Sequence, residues 1–346
     1  MTTDRVLQAI EASVVALRER PHAHWLLAFS GGKDSTAALK IILAAYRESG
    51  LSSLNLTVAY CDTGVENPIL DVYVKSVFAS LAVEFERSGE RFATKILRAP
   101  VQDRFFVRIV GRGYPPPTNS FRWCTTGLRI RPVSRFIEEQ DPQNTVVVLG
   151  LRRAESQQRD RTLAKTPEGQ WQKQREGNRD YDLFLPIVNL DVPEVWDSIF
   201  WLSAPRAIRP RVLQDLYRDA SGECPVIKAP TAPPCASGRF GCWTCTVVRQ
   251  DRSASKLIEA GYDQLRPYFE FRNWLSEIRN DPKMRWPQRR SGSVGMGPFT
   301  LDARKAILRR IDQLEEATKS EILDASERGT IAGLWRLDEY KRLSFR

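Results

Sequence analysis

The chain reads Trp25-Leu26-Leu27-Ala28-Phe29-Ser30-Gly31-Gly32-Lys33-Asp34-Ser35, followed by the amphipathic run Thr36 to Tyr46. An apolar strand, a glycine turn and a helix start in that order build a phosphate cradle. Glycines let backbone N–H groups close on an anion, and the helix N-terminus adds partial positive charge. Lys33 supplies a mobile cation, and Ser30 and Ser35 supply hydroxyls. The spacing is not that of the Walker loop, which needs four residues between its glycines and a Gly-Lys-Ser/Thr ending.

Other strand-like runs lie at Leu54 to Tyr60, Thr94 to Leu97 and Thr145 to Leu149, with helical sequence between them. Unbroken β-branched runs are typical of parallel strands buried on both faces. The expected fold is therefore α/β, with a doubly wound, mainly parallel sheet. Val6, Ile10, Val14 and Leu17 form the stripe of an amphipathic helix ahead of the first strand. Ligands of such sheets sit at the carboxyl ends of the strands. The glycine loop, Cys61-Asp62-Thr63-Gly64 and Gly150-Leu151-Arg152 all fall there. From Arg152 to Asp182 the sequence is polar and aperiodic, which predicts a mobile loop over the site. Prolines interrupt the pattern between Leu202 and Pro234, and the chain turns helical again after Ser253. Two domains are expected, 1–200 and 201–346, the second cysteine-rich and helical.

Hydrophobic residues make up 42% and charged residues 27% of 346, and no apolar run approaches a membrane span. The N-terminus lacks an export signal, so the expected location is the cytoplasm, with no membrane partner. Fifty-two basic against 42 acidic residues give +10, which favours a polyanionic partner. Part of this excess lies between Arg272 and Arg290, where six basic residues face two acidic ones and Trp274 and Trp286 are close by. That composition suits DNA phosphate contacts and base stacking, and equally a solvated loop.

Six cysteines stand at 61, 124, 224, 235, 242 and 245. In a cytosolic chain their clustering points to metal or sulfur chemistry rather than disulfides. Cys235, Cys242 and Cys245 are close in sequence, and Cys124 or Cys224 must provide a fourth thiolate. Zinc and an iron–sulfur cluster both take four thiolates. Three near ligands and one distant ligand favour a 4Fe–4S cluster.

With these residues in view, the chain resembles the phosphoadenosine-phosphosulfate (PAPS) reductases within the ATP pyrophosphatase superfamily, whose fold is adenine nucleotide alpha hydrolase-like. Ser30 to Ser35 matches the family's phosphate loop and Asp62-Thr63-Gly64 its Asp-Thr-Gly. Arg122-Trp123-Cys124 is similar to the Arg-Cys-Cys of its iron–sulfur members, with Trp123 in place of one cysteine. Gly150-Leu151-Arg152-Arg153-Ala154-Glu155-Ser156 fits as well. Ser237 to Val248, and Gly297-Pro298-Phe299-Thr300-Leu301 with Arg304 behind, resemble the DndC proteins of bacterial DNA phosphorothioate modification and their SspD counterparts.

The resemblance implies an ATP-dependent sulfurtransferase that adenylates a DNA phosphate oxygen and replaces it with sulfur. It further implies a cysteine desulfurase as sulfur donor, other phosphorothioation proteins as partners, and ATP, Mg2+ and a 4Fe–4S cluster as cofactors. ATP is then held by Ser30, Gly31, Gly32, Lys33, Asp34, Ser35, Asp62, Thr63, Gly150, Arg152 and Glu155, with Lys33 and Asp34 catalytic. Asp34 and Asp62 are the expected Mg2+ partners, although Asp34 alternatively caps the helix. Arg152, Arg153 and Arg159 contact phosphate or serve as surface ion pairs. If Cys124, Cys235, Cys242 and Cys245 hold the cluster, Cys224 is free to carry sulfur. Competing readings are adenylyl-sulfate reduction, which expects a later cysteine than Cys245, tRNA thiolation, and a non-catalytic, cluster-bearing DNA-binding scaffold.

Overall fold

The computed structural model describes residues 4–153, 169–176, 179–221 and 241–344. The chain forms two compact units, both discontinuous in sequence: residues 1–61, 69–97 and 134–240, and residues 62–68, 98–133 and 241–346. This division differs from the expected one at residue 200. The short segments 62–68 and 98–133 belong with the C-terminal part, while the helix after residue 209 belongs with the sheet.

Unit 1 is built on a six-stranded sheet of order β3-β2-β1-β4-β6-β5. Its strands are β1 (His24–Ala28), β2 (Asn55–Asp62), β3 (Phe92–Arg98), β4 (Thr145–Leu149), β5 (Trp171–Glu176) and β6 (Arg179–Phe184). β1 is parallel to both neighbours, with Leu27 opposite Val58 on one side and Val148 on the other. The parallel strands are joined by crossovers, which α2 (Lys33–Ser49), α3 (Pro68–Ser88) and α4 (Arg131–Glu139) provide, while α1 (Asp4–Glu19) precedes β1. The mainly parallel α/β fold read from the sequence is the fold observed.

The expected loop from Arg152 to Asp182 is corrected in part. Residues 171–176 and 179–184 form an antiparallel pair, and β6 docks parallel to β4, while residues 154–168 of the expected loop lie outside the described residues. Polar sequence hid these strands because few of their residues face the core. Tyr181, Leu183 and Phe184 are buried, and Trp171, Phe184 and Trp25 form one aromatic cluster. Beyond β6, α5 (Val192–Trp201) starts with a capping box between Asp191 and Glu194, and α6 (Pro210–Ser221) follows.

Lys40 lies on α2 at 2% exposure, its ammonium donating to the Leu202 carbonyl at 2.5 Å. Burial lowers its pKa to about 8, against some support from Glu84. The unfolded chain therefore binds the extra proton more readily, and stability rises with pH between about 8 and 10.5. Urea denaturation across that range should show a gain of roughly 3 kcal/mol at most in the wild type, from about 1.4 kcal/mol per pH unit. Lys40→Met should flatten it. An equal slope in both proteins would refute the buried ammonium.

Unit 2 is helical: α7 (Arg252–Glu259), α8 (Arg266–Ile278), α9 (Leu301–Thr318) and α10 (Ala325–Ser344). Its own core contains Phe106, Trp243, Phe271, Leu275, Phe299, Ile307 and Ile311. No described helix is long and apolar enough to cross a membrane.

Candidate functional sites

In unit 1 the turn between β1 and α2 is shaped by close approaches. Gly31 has φ +74°, and a Cβ there would lie 2.1 Å from Val74 Cγ2. A Cβ at Gly150, just past β4, would lie 2.6 Å from the Asp34 carbonyl oxygen. Only glycine lets the end of β4 pack on the first turn of α2. Ser30 and Ser35 tie the turn together: the Ser30 N–H donates to Ser35 Oγ at 3.2 Å, and Ser35 Oγ donates to the Gly32 carbonyl at 3.0 Å.

Gly32 stands at the N-cap of α2 without a side-chain cap. Asp34 is therefore not the cap. Its Oδ2 accepts from Lys33 Nζ at 2.8 Å and its Oδ1 from Arg152 Nε at 2.5 Å. Burial pushes the Asp34 carboxyl up, but the Lys33 and Arg152 cations outweigh it and hold the group below the usual carboxylate range. The result is an ordered chain of two cations around one ionised carboxylate.

Arg152 is 3% exposed, and its Nη2 has no hydrogen-bond partner among the described residues. A buried unpaired guanidinium N–H costs free energy until an acceptor arrives, so this donor is suited to an anionic ligand. A surface ion-pair role is excluded for Arg152. Arg152 and Arg153 also line a cleft of about 860 Å³, walled by Arg5 and Gln8 of α1 and by Asn189 and Asp191. The phosphate loop itself does not line that cleft.

Tyr217 of α6 is a site residue that sequence reasoning missed. Its hydroxyl accepts from the Lys33 backbone N–H at 3.1 Å, and the Lys33 ammonium lies 5.4 Å from its ring centroid. Burial raises its pKa, which keeps the hydroxyl neutral. Nothing in the proline-broken stretch around Tyr217 marks it as facing residue 33.

Asp62 and Thr63 belong to unit 2. Asp62 Oδ1 accepts from the Gly64 N–H at 2.8 Å, and Oδ2 accepts from Arg98 Nε at 2.8 Å and Nη2 at 2.5 Å. Asp34 and Asp62 thus have every carboxylate oxygen engaged by a cation or an N–H. As arranged here they do not fit the expected role of direct Mg2+ ligands.

Thr63 donates to Glu66 Oε1 at 2.9 Å and lies 3.8 Å from Cys242 Sγ. Arg129 Nη2 reaches both Cys242 Sγ at 3.6 Å and Glu66 Oε1 at 3.4 Å. The Glu66–Cys242 β-bridge and the bond from the Trp243 N–H to the Val65 carbonyl fix this arrangement. Cys242 and Cys245 share one turn, closed by the Cys245 N–H on the Cys242 carbonyl at 3.0 Å. Arg272 holds the same turn from outside, its Nε donating to the Cys245 carbonyl at 2.9 Å.

Burial, then Glu66, pushes the Cys242 thiol up to about 12 despite Arg129. Burial raises the Cys124 thiol as well. Cys245 interacts electrostatically with both Cys124 and Cys242. Among the described residues no group of three or more His, Cys, Asp or Glu is gathered to hold a metal ion. Cys224, Cys235, Glu155 and Arg159 lie outside the described residues. Cys124, Cys242 and Cys245 stand in one unit, and thiolates are soft donors of the kind iron or zinc accepts.

The basic stretch from Arg272 to Arg290 also needs correction. Arg272 is 2% and Arg285 8% exposed, and both spend their guanidinium N–H groups on backbone carbonyls. They hold the fold and are not available to phosphates.

Residues 24–247 match the phosphoadenosine phosphosulfate reductase domain, and the chain belongs to that family. An uncharacterized protein of Methanocaldococcus jannaschii is 28% identical over 131 residues, covering 38% of this chain and 23% of that protein. The chain thus spans about a quarter of the length of the curated relative it matches. Among solved structures, Candida glabrata FMN adenylyltransferase with FAD and pyrophosphate is 12% identical, covering 88% of this chain and 82% of its own, with a TM-score of 0.39. PAPS reductase from Candida auris, a phosphate complex, is 12% identical over 59% and 89%, with a TM-score of 0.36. NAD+ synthetase from Burkholderia pseudomallei is 17% identical over 61% and 81%, with a TM-score of 0.37.

Proposed function

We propose that the protein is a cytoplasmic ATP-dependent sulfurtransferase that adenylates a DNA backbone phosphate and replaces one of its non-bridging oxygens with sulfur. The observation that carries the ATP half is the uncapped start of α2 beside the Lys33–Asp34–Arg152 chain, whose Arg152 Nη2 is a buried donor without an acceptor. The loop N–H groups and Lys33 receive the β and γ phosphates, Lys33 exchanging its contact with Asp34 for phosphate oxygens. Asp34 keeps Arg152 in place, and Arg152 neutralises the α-phosphate. Mg2+ comes with the triphosphate as its counter-ion.

The DNA oxygen attacks the α-phosphorus, the bond to the β-phosphate oxygen breaks, and pyrophosphate leaves with its charge met by Lys33. The outer sulfur of a persulfide on Cys224 then attacks the DNA phosphorus and AMP departs, and a second thiol, here free cysteine, attacks the Cys224 sulfur, forming a disulfide with it and releasing the DNA phosphorothioate. Cys124, Cys235, Cys242 and Cys245 would hold a 4Fe–4S cluster, one thiolate to each iron, so the sulfur would arrive on a protein cysteine rather than on an open iron. Cys224 is then the proposed sulfur carrier, receiving from a cysteine desulfurase. The likeness of Ser237 to Val248 to the DndC and SspD proteins supports DNA as the substrate. Product analysis of one anaerobic reaction with DNA, ATP, cysteine and a cysteine desulfurase tests the reading. AMP, pyrophosphate and a phosphorothioate linkage in the DNA are expected, and DNA without sulfur after ATP is consumed would refute the transfer.

A further inference from the structure

The positive charge of the chain is concentrated in one place. Unit 2 holds 27 Lys and Arg against 18 Asp and Glu, net +9, whereas unit 1 holds 25 against 24, net +1. Within unit 2, residues 104–133 and 282–301 contain ten Lys and Arg and no Asp or Glu. These two segments meet. The Phe299 N–H donates to the Gly113 carbonyl at 2.7 Å, and Arg290 Nη2 donates to the Arg112 carbonyl.

Residues 285–299 form a hairpin, with bridges between Arg285 and Phe299 and between Gln288 and Val294. Buried Arg285 pins its root through the carbonyls of Gly297 and Arg279. A Cβ at Gly297 would lie 1.9 Å from the Gln288 carbonyl oxygen, so the two arms approach as only glycine allows. The hairpin is therefore a rigid platform rather than a loose basic loop. Its tip presents exposed Arg289 and Arg290, and its arms present Trp286 at 41%, Met296 at 48% and Val294 at 92% exposure.

Beside it, Arg290 lies 4.8 Å from the Tyr114 ring centroid. Tyr114 in turn stacks with Phe121, at 6.3 Å and 12° between planes. Phe121 ends the stack and is 44% exposed. Arg104, Arg108 and Arg129 have carboxylate partners and Arg285 has carbonyls. Arg112, Arg122, Lys283, Arg289 and Arg290 have no carboxylate partner among the described residues.

We infer that the 285–299 hairpin and the 112–122 loop form a nucleic-acid surface, gripping phosphates through Arg289 and Arg290 and stacking an unpaired base on Phe121. This deepens the DNA-directed reading and rests on it for the choice of polynucleotide. Cations without local anions need a polyanion, and an open aromatic face at the end of a stack suits a base more than a protein side chain.

The test is fluorescence anisotropy with a labelled single-stranded oligonucleotide and its duplex, at several salt concentrations and without ATP. Arg289→Ala/Arg290→Ala should reduce the slope of log affinity against log salt by about 1.4 for the single strand, since each phosphate contributes roughly 0.7. Arg289→Lys/Arg290→Lys should restore it. Phe121→Ala should weaken the single strand about tenfold at unchanged slope, within the range of base–aromatic stacking, and leave the duplex unaffected. An unchanged slope in the double alanine variant, with far-UV circular dichroism as in the wild type, would overturn the surface and turn attention to a protein partner. Equal losses for duplex and single strand in Phe121→Ala would overturn the stacking. Wild-type pyrophosphate release is measured in parallel. Release without oligonucleotide binding overturns this surface alone, and binding without release overturns the ATP reading alone.

Discussion

Lys33→Ala is expected to lower pyrophosphate release by about a hundred- to a thousandfold, the scale of losing one preorganised partner of a departing oxyanion. The fold should survive, because the polar contacts of the Lys33 side chain among the described residues are with Asp34 and the Tyr217 ring. Asp34→Ala is a different case. It removes the acceptor from Arg152, whose side chain is 3% exposed, and a buried charge left without its partner costs roughly 3 kcal/mol or more. That variant should lose activity and stability together, whereas Asp34→Asn keeps an acceptor oxygen and should recover part of the stability but little of the activity. Steady-state release assays and urea denaturation of all three variants separate these effects. Wild-type turnover in Lys33→Ala would remove the phosphate-loop assignment.

The second large effect concerns the thiols. Protein purified without oxygen should be brown and contain iron and sulfide, and Cys242→Ser and Cys245→Ser should each abolish the visible absorbance. Cys124→Ser should do the same, since Cys124 is the proposed distant ligand and belongs to the same unit as Cys242 and Cys245. Cys61 belongs to unit 1, and Cys61→Ser should leave the absorbance in place. Stoichiometric zinc without sulfide, in protein never exposed to oxygen, would show that the cysteines serve a structural metal instead. Serine keeps the size of cysteine, so loss of colour with an unchanged unfolding curve reports ligation rather than packing.

The parallel core was legible because its signals are local. β1, β2 and β4 carry runs of apolar residues, β3 adds only the pair Ile96-Leu97, and the glycine turn lies within six positions. β5 and β6 were not legible, because Asp182 on β6 pairs with Arg20 and the strand is defined by its neighbour β4 rather than by its own hydrophobicity. Tyr217 was hidden for the same reason. It reaches Lys33 across 184 positions, and no periodicity encodes such a contact. Arg272 and Arg285 misled in the other direction. Composition marks an arginine as a phosphate contact, but these two are consumed by carbonyls of turns they hold shut. The interleaving of the two units follows from segments 62–68 and 98–133, which are too short to carry a domain signature of their own.

The proposed function has the protein split ATP between the α and β phosphates on behalf of DNA. It is tested most directly by following ATP labelled at the α-phosphate, with anaerobic wild-type protein, in the presence and absence of DNA. AMP formed together with equimolar pyrophosphate, and faster with DNA than without it, is the predicted result. ADP and inorganic phosphate as the products would contradict it.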